Sequence, residues 1–233
     1  MGVPTLDSHL MAKVRRTDSP VLADPMTRID CLNLEDDFEI DDVQVDGGRV
    51  EGRSGRGGRL RFSRLRDLAL AETRLDGAAL TDVVLERVDL TAAALTRAVL
   101  RRVSLTDCRC LGLDLAEANL VGLLFSNCTV EMANLRFTAL ERVVFDRCAL
   151  RGADLGNAVL TDVAFTQCQL EDANFTGARL SGVTLHGSSL NGLRGVADLR
   201  GATLTMDQLV GLAPQLAVEL GIQVEGATET HHS

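Results

Sequence analysis

From Leu60 to Leu190 every fifth residue is Leu or Phe, with Cys110 and Val130 the two exceptions, so 25 of 27 successive positions follow one rule. An α-helix repeats every 3.6 residues and a strand every 2, and a comb of period five would smear around the first and alternate faces on the second. The five-residue spacing is therefore a unit of architecture, and such units build solenoids.

A second comb lies two residues ahead of the first, in Ala78, Val83, Val88, Ala93, Ala98, Val103 and Cys108, and it too is expected to face inward. Grouping the units by fours exposes a longer period. Cys108, Cys128, Cys148 and Cys168 stand 20 residues apart, as do Phe125, Phe145 and Phe165. Like residues recur in this way when each 20-residue coil sits above the last at about 4.8 Å, the spacing of neighbouring strands. Four pentads per coil give a four-sided tube.

The units Ala118-Asn119-Leu120, Ala133-Asn134-Leu135, Ala153-Asp154-Leu155 and Ala173-Asn174-Phe175 resemble those of the pentapeptide-repeat family. The resemblance implies an all-β solenoid, a right-handed quadrilateral β-helix, and the handedness comes from the resemblance alone. With 45% apolar residues, no Trp and no Tyr, the composition suits a narrow interior filled by Leu and Ala.

The same phase extends back through Ile40, Val45 and Val50, so the tube is expected over 38–204. Residues 1–37, with Pro4, Pro20 and Pro25 and no pentad, read as an N-terminal arm, mobile or loosely docked. The Gly/Arg-rich stretch 47–59 lacks an apolar residue at 55 and predicts an irregular coil or a projecting loop. Gly195 takes a slot due for Leu, and the comb resumes one residue early at Leu199 and Leu204. Thr205 and Gln208 then form a capping box, and Leu209, Leu212, Leu216 and Leu220 follow at helical spacing, split by Pro214 and closed by Gly221. Residues 205–224 are thus a helical cap, with Ile222–Val224 a short closing strand, and 225–233 a disordered tail. The cap resembles a helix through which some members of the family pair end to end, which implies a homodimer with Leu209, Leu212, Leu216 and Leu220 at its interface.

Catalysis finds little support. His9, His186, His231 and His232 form no cluster, the carboxylates lie on outward positions of a regular wall, and no nucleophile has a base beside it. Four of the six cysteines belong to the 20-residue ladder rather than to zinc-ligand pairs and Cys110 sits inward on the first comb, leaving Cys31 as the one outside the tube. No catalytic residue, metal or cofactor is expected. No run of 18 apolar residues spans a membrane and no signal peptide is evident, so the chain reads as cytoplasmic.

Binding remains, and three surfaces offer themselves. The first is a protein-docking stripe through Leu124 and Val144, with Phe137 nearby. The second is a set of outward acids, Asp114, Glu117, Asp154, Glu171 and Asp172. The resemblance to the Qnr-type quinolone-resistance branch implies for these a DNA-like face that binds DNA gyrase or topoisomerase IV and protects it from poisons. The strict trunk, however, carries fourteen arginines against sixteen carboxylates, whereas duplex DNA carries about one negative charge per 1.7 Å. The third is the arginine-rich segment 49–66, including Arg53 and Arg56, which suits nucleic acid; a net charge of −9 counts against it. The reading that best fits all three is a non-catalytic protein-binding rod.

Overall fold

The computed structural model describes residues 19–22 and 24–224. The backbone is a β-solenoid of about 9 turns with about 20 residues per coil and one C-terminal helix. Near its start, β1 (Thr27–Arg28), β2 (Glu39–Asp41) and β3 (Val43–Arg49) lead into β4 (Arg59–Ala69), β5 (Ala79–Glu86) and β6 (Val99–Thr106). These long strands pair in parallel and wrap around a corner, matching Leu60 with Leu80 on one wall and Leu65 with Leu85 on the next. Later coils keep the same two walls as separate short strands, such as Asn119–Val121 and Leu124–Ser126, always in a register of 20. The other two walls are held by single bridges: one runs from Ala69 through Asp89 and Arg109 to Ser189, the other from Ser54 through Asp114 and Asp154 to Arg194. Four walls per coil follow, as the pentad count requires.

Both inward combs are buried. Phe125, Phe145 and Phe165 stack at centroid separations of 4.7 and 5.0 Å, and Phe175 closes the column edge-on. The four ladder cysteines are buried free thiols, each directing Sγ at a carbonyl of the preceding coil; Cys168, for example, lies 3.2 Å from Phe145 O. Where Ser or Thr occupies the second comb, its hydroxyl is satisfied at once. Thr73 donates to Leu70 O at 2.7 Å and Thr138 to Leu135 O at 2.6 Å, so neither leaves an unpaired polar group in the core.

The N-terminal end differs from the sequence expectation. Residues 47–59 form a regular coil, with Gly48 opposite Leu68, Arg49 opposite Ala69 and a bridge from Ser54 to Arg74. The apolar side chain missing at Gly55 is supplied from outside the comb. The Phe38 ring lies so close that a Cβ on Gly55 or Gly58 would overlap it, and the glycines are what let the ring in. Within the stretch read as an arm, Thr27–Arg28 pairs with β3, and Leu32 and Leu34 are buried over the first coil. Residues 1–18 and the tail 225–233 lie outside the described residues.

At the other end the one-residue deletion is visible as a register of 19, with Val183 opposite Ala202. The helix α1 (Met206–Glu219) starts at the Thr205–Gln208 capping box. It runs unbroken through Pro214, contrary to the expected split, because the missing N–H sacrifices one bond of a helix anchored by the buried Leu212 before the proline and Ala217 after it. Gly221 closes it in a left-handed turn, with Ile222 N–H reaching Ala217 O at 2.8 Å. Residues 222–224 form no strand, correcting that expectation. The Gln208 side-chain amide donates to Leu185 O and Ser188 O at 2.6 and 2.8 Å, and the Glu219 carboxylate accepts from the Val196 and Ala197 N–H groups. The open carbonyls of the last coil thus find donors on the helix.

Candidate functional site

The acids singled out from the sequence separate onto different walls. Asp114 and Asp154 share the wall built on Leu115, Leu135 and Leu155, in a vertical series that reads Asp114, Asn134, Asp154, Asn174. Asn134 Nδ2 donates to Asp114 Oδ1 at 2.9 Å and Asn174 Nδ2 to Asp154 Oδ1 at 2.8 Å. Each side-chain oxygen also accepts a backbone N–H from two residues on; Gly156 N–H, for example, donates to Asp154 Oδ1 at 2.9 Å. Burial opposes ionisation of Asp154, but the Gly156 N–H, the Arg136 guanidinium and the Asn174 amide outweigh it and hold the carboxyl below its ordinary range.

Two bulky apolar residues stand at the corners of this wall. Met132 and Phe137 are 66% and 55% exposed, and both have left-handed backbones, with φ of 55° and 57°. Corner positions elsewhere carry mostly Gly, Asp, Asn or Arg. A bulky L-residue there costs roughly 1–2 kcal/mol relative to glycine, and neither side chain recovers that by burial. The Arg136 guanidinium lies 5.3 Å from the Phe137 ring centroid while bonding Asp154 Oδ2 at 3.0 Å. Glu117 occupies the corner one coil from Phe137 and is exposed. Phe137, Glu117, Asp114 and Asp154 are therefore brought together. Glu171 and Asp172 lie around the corner that Met132 also occupies, with Glu171 3.5 Å from Arg151 and bonded by Ser189.

The other expected sites fare differently. Val144 points away from the tube yet is 1% exposed, and Leu124 beside it is half-buried, so the docking stripe is not an open surface at Val144. Arg53 and Arg56 are exposed, five coils from the Asp154 region, and Arg56 lies 3.5 Å from Asp76. Their neighbours Arg59, Arg61 and Arg66 are paired with Glu39, Asp41 and Glu86 on adjacent coils at 2.6 to 2.7 Å. Arg87 and Arg102 pair likewise with Asp67 and Asp82. Such intercoil pairs neutralise both the basic segment and much of the acidic surface. The four leucines of the cap also divide: Leu212 is buried and Leu216 packs against the tube, while Leu209 and Leu220 are exposed. The bare side of α1 instead shows Val210, Val218 and, just past its end, Ile222 and Val224.

One contact had no sequence signal. Val21 N–H donates to Asp82 Oδ1 at 2.9 Å, and Arg102 grips the same carboxylate through two nitrogens, leaving Asp82 1% exposed. Val21 lies 61 residues away, outside any repeat, and only the fold reveals the pairing. Among the described residues no cluster of three or more His, Cys, Asp or Glu is arranged to hold a metal, and no helix is long and apolar enough to cross a membrane. Burial pushes the Cys110 thiol up, and the contacts with Cys128 and Cys168, followed by burial, do the same to Cys148.

The repeat is matched by a known family. The family signature described as a pentapeptide repeat region matches residues 78–155 and 132–194, together half of the chain. Among solved structures, a trypsin-treated form of QnrB1, described as a plasmid-mediated fluoroquinolone resistance protein, is 20% identical with a TM-score of 0.49. It covers 80% of this chain and 97% of its own. HetL, a pentapeptide repeat protein involved in heterocyst differentiation regulation from the cyanobacterium Nostoc, is 21% identical with a TM-score of 0.26, covering 72% of this chain and 89% of its own. No curated protein sequence matches the chain.

Proposed function

The chain belongs to the pentapeptide repeat family, and from that premise we propose that it is a non-catalytic rod that binds another protein through its outer walls. The observation that carries this is the pair Met132 and Phe137, exposed in left-handed corners beside Asp114, Glu117 and Asp154. An aromatic and a flexible thioether projecting from a rigid wall, with charged groups around them, is the composition of a binding hot spot. Because the wall is fixed by two neighbouring coils, docking on it orders little else. The test is substitution at the corners. Met132→Glu with Phe137→Glu should abolish cross-linked capture of the partner while circular dichroism is unchanged, and undiminished capture would refute the assignment.

A type II topoisomerase is the partner that the family resemblance favours. The acids Glu117 and Asp172 are exposed and suit it, whereas the arginine-paired carboxylates weaken a copy of DNA. Gyrase supercoiling with and without a fluoroquinolone separates the two, since protection or inhibition by this protein supports a topoisomerase and its absence leaves a different protein partner. The uncovered apolar side of α1 supports self-association of two copies at that end, through Val210 and Val218 rather than the buried Leu212.

A further inference from the structure

The inward combs fill the tube unevenly. In the later coils the axis is occupied by Phe125, Phe145 and Phe165, stacked at 4.7 and 5.0 Å, with Phe175 edge-on beyond them. The same wall carries leucine in the three coils before, at Leu65, Leu85 and Leu105, and there the leucines meeting from the four walls leave the centre open. A cavity of about 40 Å³ runs between them. It is lined by every central leucine of the coils 60–75 and 80–95 and by three of the next coil, ends on Phe125, and is closed at the N-terminal end by Leu32, Leu34 and Phe38. Over three coils its length is about 14 Å at the spacing of neighbouring strands, so it is a slot and not a sphere.

Leucine and phenylalanine side chains make up the whole of its wall. A volume several times the roughly 10–15 Å³ that admits one water would take water if about two to four polar groups were there to hold it, and with none the slot stays dry. Side chains around an unfilled slot forfeit dispersion contacts, and a guest without hydrogen-bonding demand restores them. A charged or polar guest would lose its hydration with nothing in return. A ring is too wide, since the volume is well below the roughly 150 Å³ of a cavity that takes benzene. We propose that the leucine coils hold an internal site for small, unbranched, non-polar molecules, the class of dissolved gases and short linear alkanes. Residues 30–36, which lead over its N-terminal end, form neither helix nor strand, so this is where a brief opening costs least. The site is enclosed by the coils and is independent of the Met132–Phe137 surface on the outside of the tube.

Methyl NMR of the full chain tests it. Xenon, and in a second series propane, dissolved under pressure should shift the methyls of Leu65, Leu85 and Leu105 along a saturating curve. Those of Leu155, whose coil is filled by Phe145, should stay in place, and benzene should move neither set. Leu85→Phe with Leu105→Phe extends the aromatic column into the slot and should abolish the response at Leu65. Should that pair not fold, Phe125→Leu serves instead: it removes the floor of the slot, and the response should spread to the methyls of Leu120 and Leu135. The proposal fails if neither gas gives a saturating shift, if Leu155 responds as Leu85 does, or if benzene binds as propane does. It fails equally if the response at Leu65 survives both phenylalanines, or if it does not spread in Phe125→Leu.

Discussion

Replacing Phe145 by Leu isolates the worth of the aromatic column. Phe145 is fully buried between Phe125 at 4.7 Å and Phe165 at 5.0 Å, with interplanar angles of 15° and 3°. Leucine occupies most other rungs of the same comb, so the backbone accommodates it and the loss is confined to the ring. Two ring contacts at roughly 0.5–1.5 kcal/mol each predict a cost of about 1–3 kcal/mol, with a smaller addition for unfilled volume. The converse change is informative because Leu105 lies directly over Phe125 and lines a narrow apolar cavity along the axis with Leu85. Leu105→Phe should add one stacked ring and stabilise by about 0.5–1.5 kcal/mol. Urea denaturation gives the global values, and hydrogen exchange over coils 120–170 localises them, since a stack of repeats need not open as one unit. If Phe145→Leu is silent, or if Leu105→Phe destabilises as much as Phe145→Leu does, the column is not an energetic unit and its stacking is incidental to the fold.

Two further outcomes follow from the ends and the flank. Gly58→Ala places a Cβ in the Phe38 ring and should loosen the first coils by about 1–3 kcal/mol, whereas adding Phe38→Ala should restore part of the loss; strict additivity in that double-mutant cycle would deny the contact. For Asp82, burial resists ionisation, but Arg102 and the Val21 N–H outweigh it and the carboxyl sits below its ordinary value. A depressed folded pKa contributes stability above the unfolded value of about 3.9 and loses it on acidification. Exchange protection of the Val21 amide should therefore be full at neutral pH and fade as pH falls below about 4. In Asp82→Asn the protection should be lower and flat across that range, and a native profile in that variant would exclude the carboxylate as its cause.

The periodic part of the molecule was legible because each inward residue repeats its neighbour's environment one coil away: the Cys108–Cys168 and Phe125–Phe165 ladders needed only counting. The ends were less legible. A glycine-rich run implies a loop only if nothing fills the space above it, and Phe38, which fills it, lies outside the comb. Pro214 reads as a breaker where packing supplies what a single lost bond removes. Of the candidate sites, Phe137 and its acids came together because corner and wall positions follow from the pentad phase. Val144 is outward in the pentad and yet 1% exposed, because outward in the repeat does not by itself mean exposed.

The series Asp114, Asn134, Asp154, Asn174 alternates, so its true period is two coils. Excising residues 115–134 would set Asp114 against Asp154 at about 4.8 Å with no amide between them, while excising 115–154 would rejoin Asp114 to Asn174 and preserve the match. Over these four rungs a deletion keeps every carboxylate next to an amide only in steps of forty residues, a quantum fixed by side-chain charge although the backbone would accept twenty.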